Sequence, residues 1–296
     1  MAAASPTLII LPFRLSIGIE GSARLRSDED HIPQKIGRYI IIKSIGSGAM
    51  GTVYKAYDPK LSRTIAVKTI RCEYPTQTRE YKAFLKRFRQ EAEALGKLSH
   101  PGVVALYDMG ETRAKVPFLA MEYVEGKTLA QLMKSGHSFE TEQIFQLISQ
   151  MADALDYAHK NRVLHCDIKP SNILALDGED KLKITDFGIS KVLDSKRTRH
   201  HTIQLVGTPG YMSPEQVMGR AMDERSDIFS LGVVAFEMLC GKQPFPGKSL
   251  SAVLVKQVHA DPIVPSGLKE LGIEPREWQQ VFSRVLAKDP RERYQT

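Results

Sequence analysis

The sequence predicts an α+β protein of two lobes, in which a small antiparallel β-sheet lobe with one main helix precedes a larger, mainly helical lobe. Two observations support this prediction. Short β-branched runs separated by glycine-rich or polar turns occupy residues 37–124, and a mainly helical pattern follows over residues 125–296. With 296 residues, the chain is long enough for each lobe to have its own core.

The first lobe is predicted to follow a loosely ordered extension, residues 1–36, which mixes small, apolar and charged residues without sustained periodicity. Residues 39–45 are a β-branched run, residues 46–51 are rich in glycine, and residues 52–57 resume strand-like alternation. This order predicts a hairpin with a glycine-rich tip. The other predicted elements of this lobe are strands at residues 64–70, 103–108 and 117–123 and a helix at residues 79–98.

The second lobe shows helical periodicity in four segments. We expect helices at residues 141–161, 223–240, 249–259 and 277–287, with the boundary between the lobes near residues 124–127. No internal repeat and no low-complexity tract is found along the sequence.

Composition and charge argue against several classes of function. The formal net charge is +7 and the pI is near 9.2, which would suit an acidic partner but is explained more simply by a mildly basic solvated surface. No window alternates basic and aromatic residues as a base-stacking surface would, so no nucleic-acid partner is expected. The 3 cysteines lie far apart without a Cys-x-x-Cys pair, which indicates neither zinc nor a redox couple and favours a reducing, cytoplasmic environment.

The start of the chain gives no signal for membrane insertion or export. Its longest apolar stretch, residues 8–13, is far shorter than the roughly 20 residues of a transmembrane helix. Residues 1–7 contain no basic residue, which a secretory signal would have before its apolar core. We therefore expect a cytoplasmic chain without a membrane segment, and leave open a membrane anchor beyond residue 296.

Two polar motifs predict a phosphotransferase. Residues 165–172 read His-Cys-Asp-Ile-Lys-Pro-Ser-Asn, and residues 186–188 read Asp-Phe-Gly. A carboxylate at Asp167 can accept a hydroxyl proton, whereas Asn172 and Asp186 offer the hard oxygen ligands that a magnesium–nucleotide complex requires. The order and spacing of the two motifs make a chance occurrence rare.

The glycine-rich motif Gly46-x-Gly48-x-x-Gly51-x-Val53 lies between two predicted strands. A dinucleotide-binding turn would instead have a helix after it, so this context argues against a Rossmann fold. Glycines let backbone N–H groups approach phosphate oxygens closely. The motif alone is also compatible with a simple glycine-rich hairpin.

Lys68 lies on the next predicted strand, where its ammonium can reach phosphates under the glycine-rich tip. Glu91 falls on the same predicted helix face as Phe84, Phe88 and Leu95, which directs its carboxylate towards the sheet. A carboxylate on an apolar face is costly unless it is paired. We therefore predict an ion pair between Lys68 and Glu91.

Together these motifs resemble those of eukaryotic-type (Hanks-type) serine/threonine protein kinases, most closely the bacterial members. The match runs from about residue 36 to residue 296. The resemblance implies the two-lobed protein kinase fold over residues 37–296, with an N-lobe at 37–124 and a C-lobe at 125–296. It also implies transfer of the γ-phosphoryl group from Mg-ATP, with Mn²⁺ as an alternative metal, to serine or threonine hydroxyls of protein substrates. Autophosphorylation in the activation loop is expected, and a homodimer for trans-autophosphorylation is left open.

The same resemblance gives roles to the motif residues. Asp167 is the expected catalytic base, Lys169 steadies the transferring phosphoryl group, and the Lys68–Glu91 pair orients the phosphates. Asn172 and Asp186 are the expected metal ligands, adenine binds the hinge backbone, and Met121 is the gatekeeper. The implied nucleotide-binding residues are Ile45, Gly46, Ser47, Gly48, Gly51, Val53, Ala66, Lys68, Met121, Glu122, Val124, Asn172 and Asp186.

Residues 207–215 resemble the segment that closes the activation loop and seats the substrate hydroxyl. Ser213 replaces the usual alanine there. By resemblance, Glu215 pairs with Arg293 in a buried ion pair. Asp227 braces the catalytic loop, with Phe229 where tryptophan is more usual.

One departure from the family concerns regulation. His165-Cys166-Asp167 replaces the usual His-Arg-Asp, so the arginine that binds an activation-loop phosphate is missing. We therefore expect activity to depend less on loop phosphorylation, and we interpret the cysteine as an inert buried thiol. The loop has acceptors at Ser195, Thr198 and Thr202, of which Thr202 is the predicted autophosphorylation site. Lys169 and Thr208 favour serine or threonine over tyrosine as the acceptor.

Two other classes of protein share part of this motif set, namely pseudokinases and small-molecule phosphotransferases. A pseudokinase would have lost residues that act in the chemistry, yet Lys68, Glu91, Asp167, Asn172 and Asp186 are all present. A small-molecule phosphotransferase of related fold would share the aspartate and metal motifs but would normally lack a segment like residues 207–215. Both alternatives are therefore disfavoured by the sequence.

Overall fold

The computed structural model describes residues 32–48, 50–188, 209–266, 268 and 274–296. The strands within these ranges are β1 Lys35–Ile36, β2 Tyr39–Gly48, β3 Gly51–Asp58, β4 Arg63–Thr69, β5 Leu106–Glu111, β6 Pro117–Glu122, β7 Gly126–Thr128, β8 Ile173–Leu176 and β9 Leu182–Ile184. The helices are α1 Arg79–Leu95, α2 Leu129–Lys134, α3 Thr141–Lys160, α4 Pro214–Val217, α5 Glu224–Cys240, α6 Leu250–His259 and α7 Pro275–Val285. Short 3₁₀ turns lie at Pro170–Asn172, Pro209–Tyr211 and Pro290–Glu292.

The N-lobe is an antiparallel sheet with strand order β1-β2-β3-β4-β6-β5, against which α1 packs. Thr78 caps the start of α1 by accepting a hydrogen bond from the N–H of Tyr81. Phe84 and Phe88, at helical spacing, are buried against the sheet, while Leu95 is partly buried. The predicted apolar face of this helix is therefore confirmed.

The C-lobe is organised around α5, which is apolar on nearly all sides and buries Phe229, Val233 and Phe236. Asp223 caps its start, and Gly241 ends it in the left-handed conformation, with φ +66°. Helix α3 packs along α5 and contributes to the same core. The small sheet β7-β8-β9 lies beside the loop that contains Asp167.

Several boundaries differ from the sequence prediction. The predicted helix at residues 79–98 ends at Leu95, because Gly96 closes it. The strand predicted at residues 103–108 begins only at Leu106, since Val103 and Val104 pair with Ile184 of β9 instead. The short elements β7 to β9, α2 and α4 were not predicted, because segments of 3–6 residues show no clear period.

The sheet begins within the predicted extension, because Lys35–Ile36 pairs with β2. The unit that contains all the described elements starts at Pro33, whereas residues 1–31, where loose order was predicted, lie outside the described residues. Within the described ranges, no helix combines the length and apolar character needed to cross a membrane.

Candidate active site

The glycine-rich tip joins β2 to β3 and lies against the end of β4. Gly51 has φ +140°, and a β-carbon there would lie 1.8 Å from the carbonyl oxygen of Thr69, so only glycine fits. The N–H of Thr52 donates to Oγ1 of Thr69 at 3.3 Å, which fastens the tip to β4. At Gly46 and Gly48 a β-carbon would meet no described atom within 4 Å. The missing side chains thus leave room for phosphate oxygens beside the backbone.

Lys68 pairs with Asp186 rather than with its predicted partner. Its Nζ lies 2.7 Å from Oδ2 of Asp186, and the lysine side chain is only 6% exposed. Among the residues that the structure describes, no ion pair joins Lys68 to Glu91, so the predicted Lys68–Glu91 pair is not formed. The Glu91 carboxylate instead approaches Gly188, on which a β-carbon would lie 3.3 Å from Glu91 Oε2. The buried ammonium requires a carboxylate, and Asp186 supplies it.

Asp167 lies in a network of donors from its own loop. Its Oδ2 accepts from Nζ of Lys169 at 2.7 Å and from Nδ2 of Asn172 at 3.1 Å. The N–H of Asp167 donates to Nδ1 of His165 at 3.1 Å, so the proton of this imidazole lies on Nε2, which donates to the carbonyl oxygen of Thr185 at 2.9 Å. These contacts fix the direction of the Asp167 carboxylate. They also bring together the three predicted loop residues Asp167, Lys169 and Asn172.

Asn172 and Asp186 fit the donor set that Mg²⁺ prefers. The Asn172 amide nitrogen donates to the backbone oxygen of Asp167 at 2.8 Å, which leaves the amide oxygen as the side-chain atom for a metal. The N–H of Thr185 donates to the backbone oxygen of Asn172 at 2.9 Å, so the segments that carry the two candidate ligands are adjacent. A carboxylate and an amide oxygen are hard oxygen ligands, which suit a cation such as Mg²⁺.

Phe187 fixes the segment that contains Asp186. Its ring is 3% exposed and lies against the ring of His165, with the ring centroids 4.6 Å apart. Asp186 has φ +68°, a left-handed conformation that costs a non-glycine residue about 1–2 kcal/mol. Such conformations persist where the surroundings hold them, as the buried phenyl ring does here.

The predicted nucleotide-binding residues of the strands lie beside one another. Val53 pairs with Lys68 across β3 and β4, and Ala66 pairs with Met121 across β4 and β6. Ile45 on β2 is 44% exposed. The structure therefore brings these strand residues onto neighbouring positions of one sheet.

The hinge begins at Glu122, the last residue of β6. Its Oε1 pairs with Nζ of Lys183 on β9 at 2.7 Å, and its Oε2 accepts from the N–H of Ala105 at 3.2 Å. Its side chain therefore ties the N-lobe sheet to β9. Val124 follows outside the strand and is half-buried.

Asp227 braces the catalytic loop, as predicted. Its two carboxylate oxygens accept from the N–H groups of His165 and Cys166 at 2.8 and 2.7 Å, and Nε2 of His159 lies 2.9 Å from Oδ2. Burial raises the pKa of Asp227, but the hydrogen bond from His159 and that from the His165 backbone outweigh this effect and hold the pKa below its usual range. The carboxylate therefore stays ionised under the loop.

The predicted ion pair of Glu215 and Arg293 is confirmed. The guanidinium binds both carboxylate oxygens, at 2.8 and 2.9 Å, and both side chains are at least 95% buried. Ser226 also donates to Glu215, at 2.6 Å. This arrangement anchors α4, the helix that Ser213 caps.

Several predicted residues cannot be placed. Residues 189–208 lie outside the described residues, and they include the predicted acceptors Ser195, Thr198 and Thr202 as well as Thr208. Conversely, sequence reasoning missed the contacts of His159, Lys183 and Gln216. For Gln216 a signal existed, because Ser213-x-x-Gln216 is a capping-box pattern.

Comparison with known proteins agrees with this geometry. The family model described as "Protein kinase domain" matches residues 39–296. The chain is 38% identical over 260 residues to serine/threonine-protein kinase PrkC of Bacillus subtilis, covering 88% of this chain and 39% of PrkC. It is 37% identical over 263 residues to serine/threonine-protein kinase PknB of Mycobacterium tuberculosis, covering 88% and 41%.

The chain thus spans about two fifths of the length of these curated relatives. The matched region includes the glycine-rich tip, Lys68, the Asp167 loop, Asp186 and the Glu215–Arg293 pair. The two-lobed architecture and the matched family model lead to one conclusion: the chain belongs to the protein kinase domain family.

Proposed function

We propose that the chain is an ATP-dependent protein kinase that transfers the γ-phosphoryl group to serine and threonine hydroxyls of other proteins. The observation with most weight is the cluster of Asp167, Lys169 and Asn172, joined at distances of 2.7 to 3.1 Å. The names of the bacterial relatives, which are serine/threonine-protein kinases, support this acceptor class.

The positions of these side chains support the following transfer step. Asp167 orients the acceptor hydroxyl and takes its proton as the hydroxyl oxygen bonds to the γ-phosphorus. The bond from that phosphorus to the β–γ bridging oxygen breaks, and ADP leaves with the electron pair. Lys169, whose Nζ lies 2.7 Å from Asp167 Oδ2, is close enough to offset the negative charge of the transferring group.

Asn172 and Asp186 would hold Mg²⁺, or Mn²⁺ in its place, and the metal would neutralise phosphate charge. Lys68 lies beside Asp186 and can bind phosphate oxygens beneath the glycine-rich tip. We propose that Glu91 replaces Asp186 as the partner of Lys68 when nucleotide is bound. That pairing requires a change of partner from the arrangement seen here.

Further parts of the proposal concern the whole protein. We propose autophosphorylation at Thr202, with a homodimer as the form that phosphorylates in trans. We also propose cytoplasmic placement of residues 37–296, divided into an N-lobe at 37–124 and a C-lobe at 125–296.

The test is phosphate transfer by the purified chain. The chain would be incubated with ATP and Mg²⁺, alone and with a generic basic protein, and phosphosites would be mapped by mass spectrometry. Asp167→Asn serves as the catalytic control, and Mn²⁺ replaces Mg²⁺ in a parallel reaction. We expect phosphate on serine or threonine with the wild-type chain and none with Asp167→Asn. Nucleotide binding without any transfer would support the pseudokinase alternative instead, and phosphate on tyrosine alone would overturn the acceptor class.

A further inference from the structure

Gln216 connects α4 to the loop that contains Asp167. Its Nε2 donates to the carbonyl oxygen of Cys166 at 2.7 Å, and its Oε1 accepts from the N–H of Ser213 at 2.9 Å. The two ends of one amide side chain therefore serve two purposes. The acceptor end caps α4, and the donor end holds the residue that directly precedes Asp167.

Cys166 has a backbone conformation that requires such support. Its φ is +63°, in the left-handed region that non-glycine residues rarely adopt. The residue is buried, and its N–H donates to Oδ1 of Asp227 at 2.7 Å. Asp227 and Gln216 thus hold the two backbone polar groups of Cys166 from opposite sides of one strained residue.

The support comes from a rigid base. Glu215, the neighbour of Gln216, is fixed by the buried guanidinium of Arg293 at 2.8 and 2.9 Å. Loss of the Gln216 bond would leave the Cys166 carbonyl without this donor and would favour rotation of the peptide that leads into Asp167. Such a rotation changes the direction of the Asp167 carboxylate.

We infer that Gln216 is a positioning residue for Asp167, which acts by holding the left-handed peptide of Cys166. This inference rests on the proposed function. Through Gln216, the segment after the activation loop is coupled to the catalytic loop without a phosphate. The catalytic motif of this chain has cysteine where the family usually has the arginine that binds such a phosphate.

The test is Gln216→Glu, with Gln131→Glu as the matched control. Glutamate at this place of a capping box accepts the same N–H bond, so α4 stays capped, but a carboxylate has no N–H for Cys166. Gln131 occupies the same place in a second capping box, where its Oε1 accepts from the N–H of Thr128 at 2.8 Å. Gln131 is exposed, and the hydrogen bonds of this second capping box join it to Thr128, away from Cys166.

For Gln216→Glu we expect kcat to fall by about tenfold or more, with KM for ATP changed by less than about twofold. Gln131→Glu should keep both parameters. Hydrogen exchange of the amides at residues 165–168 should become faster in Gln216→Glu only. An unchanged kcat, or a loss shared by Gln131→Glu, would overturn the inference.

A second variant, Cys166→Gly, tests whether Gln216 acts by holding the left-handed backbone of residue 166. Cys166→Gly tolerates the left-handed conformation, so the additional loss from Gln216→Glu in that background should shrink to less than about threefold. An undiminished loss would show that Gln216 does not act through this peptide.

If the wild-type chain transfers no phosphate, the proposed function fails, and hydrogen exchange tests the positioning role separately. Faster exchange at residues 165–168 in Gln216→Glu would support that role, and unchanged exchange would overturn it.

Discussion

The Nζ atom of Lys68 lies 2.7 Å from Oδ2 of Asp186, and this ion pair joins the N-lobe sheet to the segment that follows the catalytic loop. Lys68 comes from β4, and Asp186 is the second residue after the end of β9. The pair places a cation and a proposed metal ligand side by side. The positive charge of Lys68 is therefore balanced by Asp186 and not by Glu91.

The partner of Lys68 can be tested by comparing two carboxylates. Asp186→Asn should lower the free energy of unfolding by about 1–3 kcal/mol, because it leaves a buried ammonium without its carboxylate. Glu91→Gln should lower it by less than half as much. Urea denaturation of both variants measures the difference, and an equal or larger loss from Glu91→Gln would contradict the pairing seen here.

The Glu215–Arg293 pair should be a major contributor to C-lobe stability. Glu215→Gln should reduce the free energy of unfolding by about 3–5 kcal/mol, because it leaves the buried guanidinium uncompensated. Arg291→Gln is the matched control, since it breaks an ion pair with Asp289 in which the arginine side chain is 83% exposed. Its effect should be within experimental error. A small loss from Glu215→Gln would refute the structural role.

The same pair predicts a dependence of stability on pH. Burial raises the pKa of Glu215, but the hydrogen bonds from Arg293 and Ser226 outweigh burial and lower the pKa below its ordinary value of 4.5. A carboxyl whose folded pKa is lowered stabilises the fold above its unfolded pKa and loses that contribution as pH falls through the folded value. The stability difference between wild type and Glu215→Gln should therefore be constant from about pH 7 to pH 5 and shrink below about pH 4.5. Denaturation curves across this range would show it, and a difference that grows on acidification would contradict it.

Lys288 should destabilise the fold at neutral pH. Its Nζ lies 3.7 Å from the ring centroid of Phe245 and, in the structure as described, has no hydrogen-bond partner. Burial lowers the pKa of Lys288 to about 8 from 10.5. Between these two values the unfolded chain binds more protons, so stability should rise with pH there.

Lys288→Met should raise the free energy of unfolding at pH 7 by about 1 kcal/mol, after allowance for partial exposure. It should also flatten the pH dependence between about pH 8 and pH 10.5. Chemical denaturation at several pH values measures both effects. If the stability of Lys288→Met still rises between about pH 8 and pH 10.5, another titrating group causes the rise.

The cysteine of the His-Cys-Asp motif predicts weak control by loop phosphorylation. Thr202→Ala should keep kinase activity within about threefold, because no arginine at residue 166 is present to bind a loop phosphate. Cys166→Arg should make activity depend more strongly on that phosphate. Initial rates before and after phosphatase treatment measure the dependence. A hundredfold loss in Thr202→Ala alone would defeat the prediction.

Local chemistry allowed much of the site to be predicted from the sequence. Asp167, Lys169 and Asn172 lie within six residues of one another, so their meeting follows from one short loop. The Glu215–Arg293 pair was predicted from the family resemblance, and its burial is confirmed. The apolar face of α1 followed from helical spacing alone.

Contacts between elements distant in sequence were decided only by the tertiary structure. The sequence offered Lys68 two carboxylates, and the arrangement of α1, β4 and the Asp-Phe-Gly segment determined which one is bound. Likewise, Val103 and Val104 pair with β9 instead of extending β5. The sequence determined which groups can form pairs, because donor chemistry and helical or strand period are local properties. The tertiary structure decided which pairs form, because that choice depends on distances of a few ångströms between elements that no local pattern encodes.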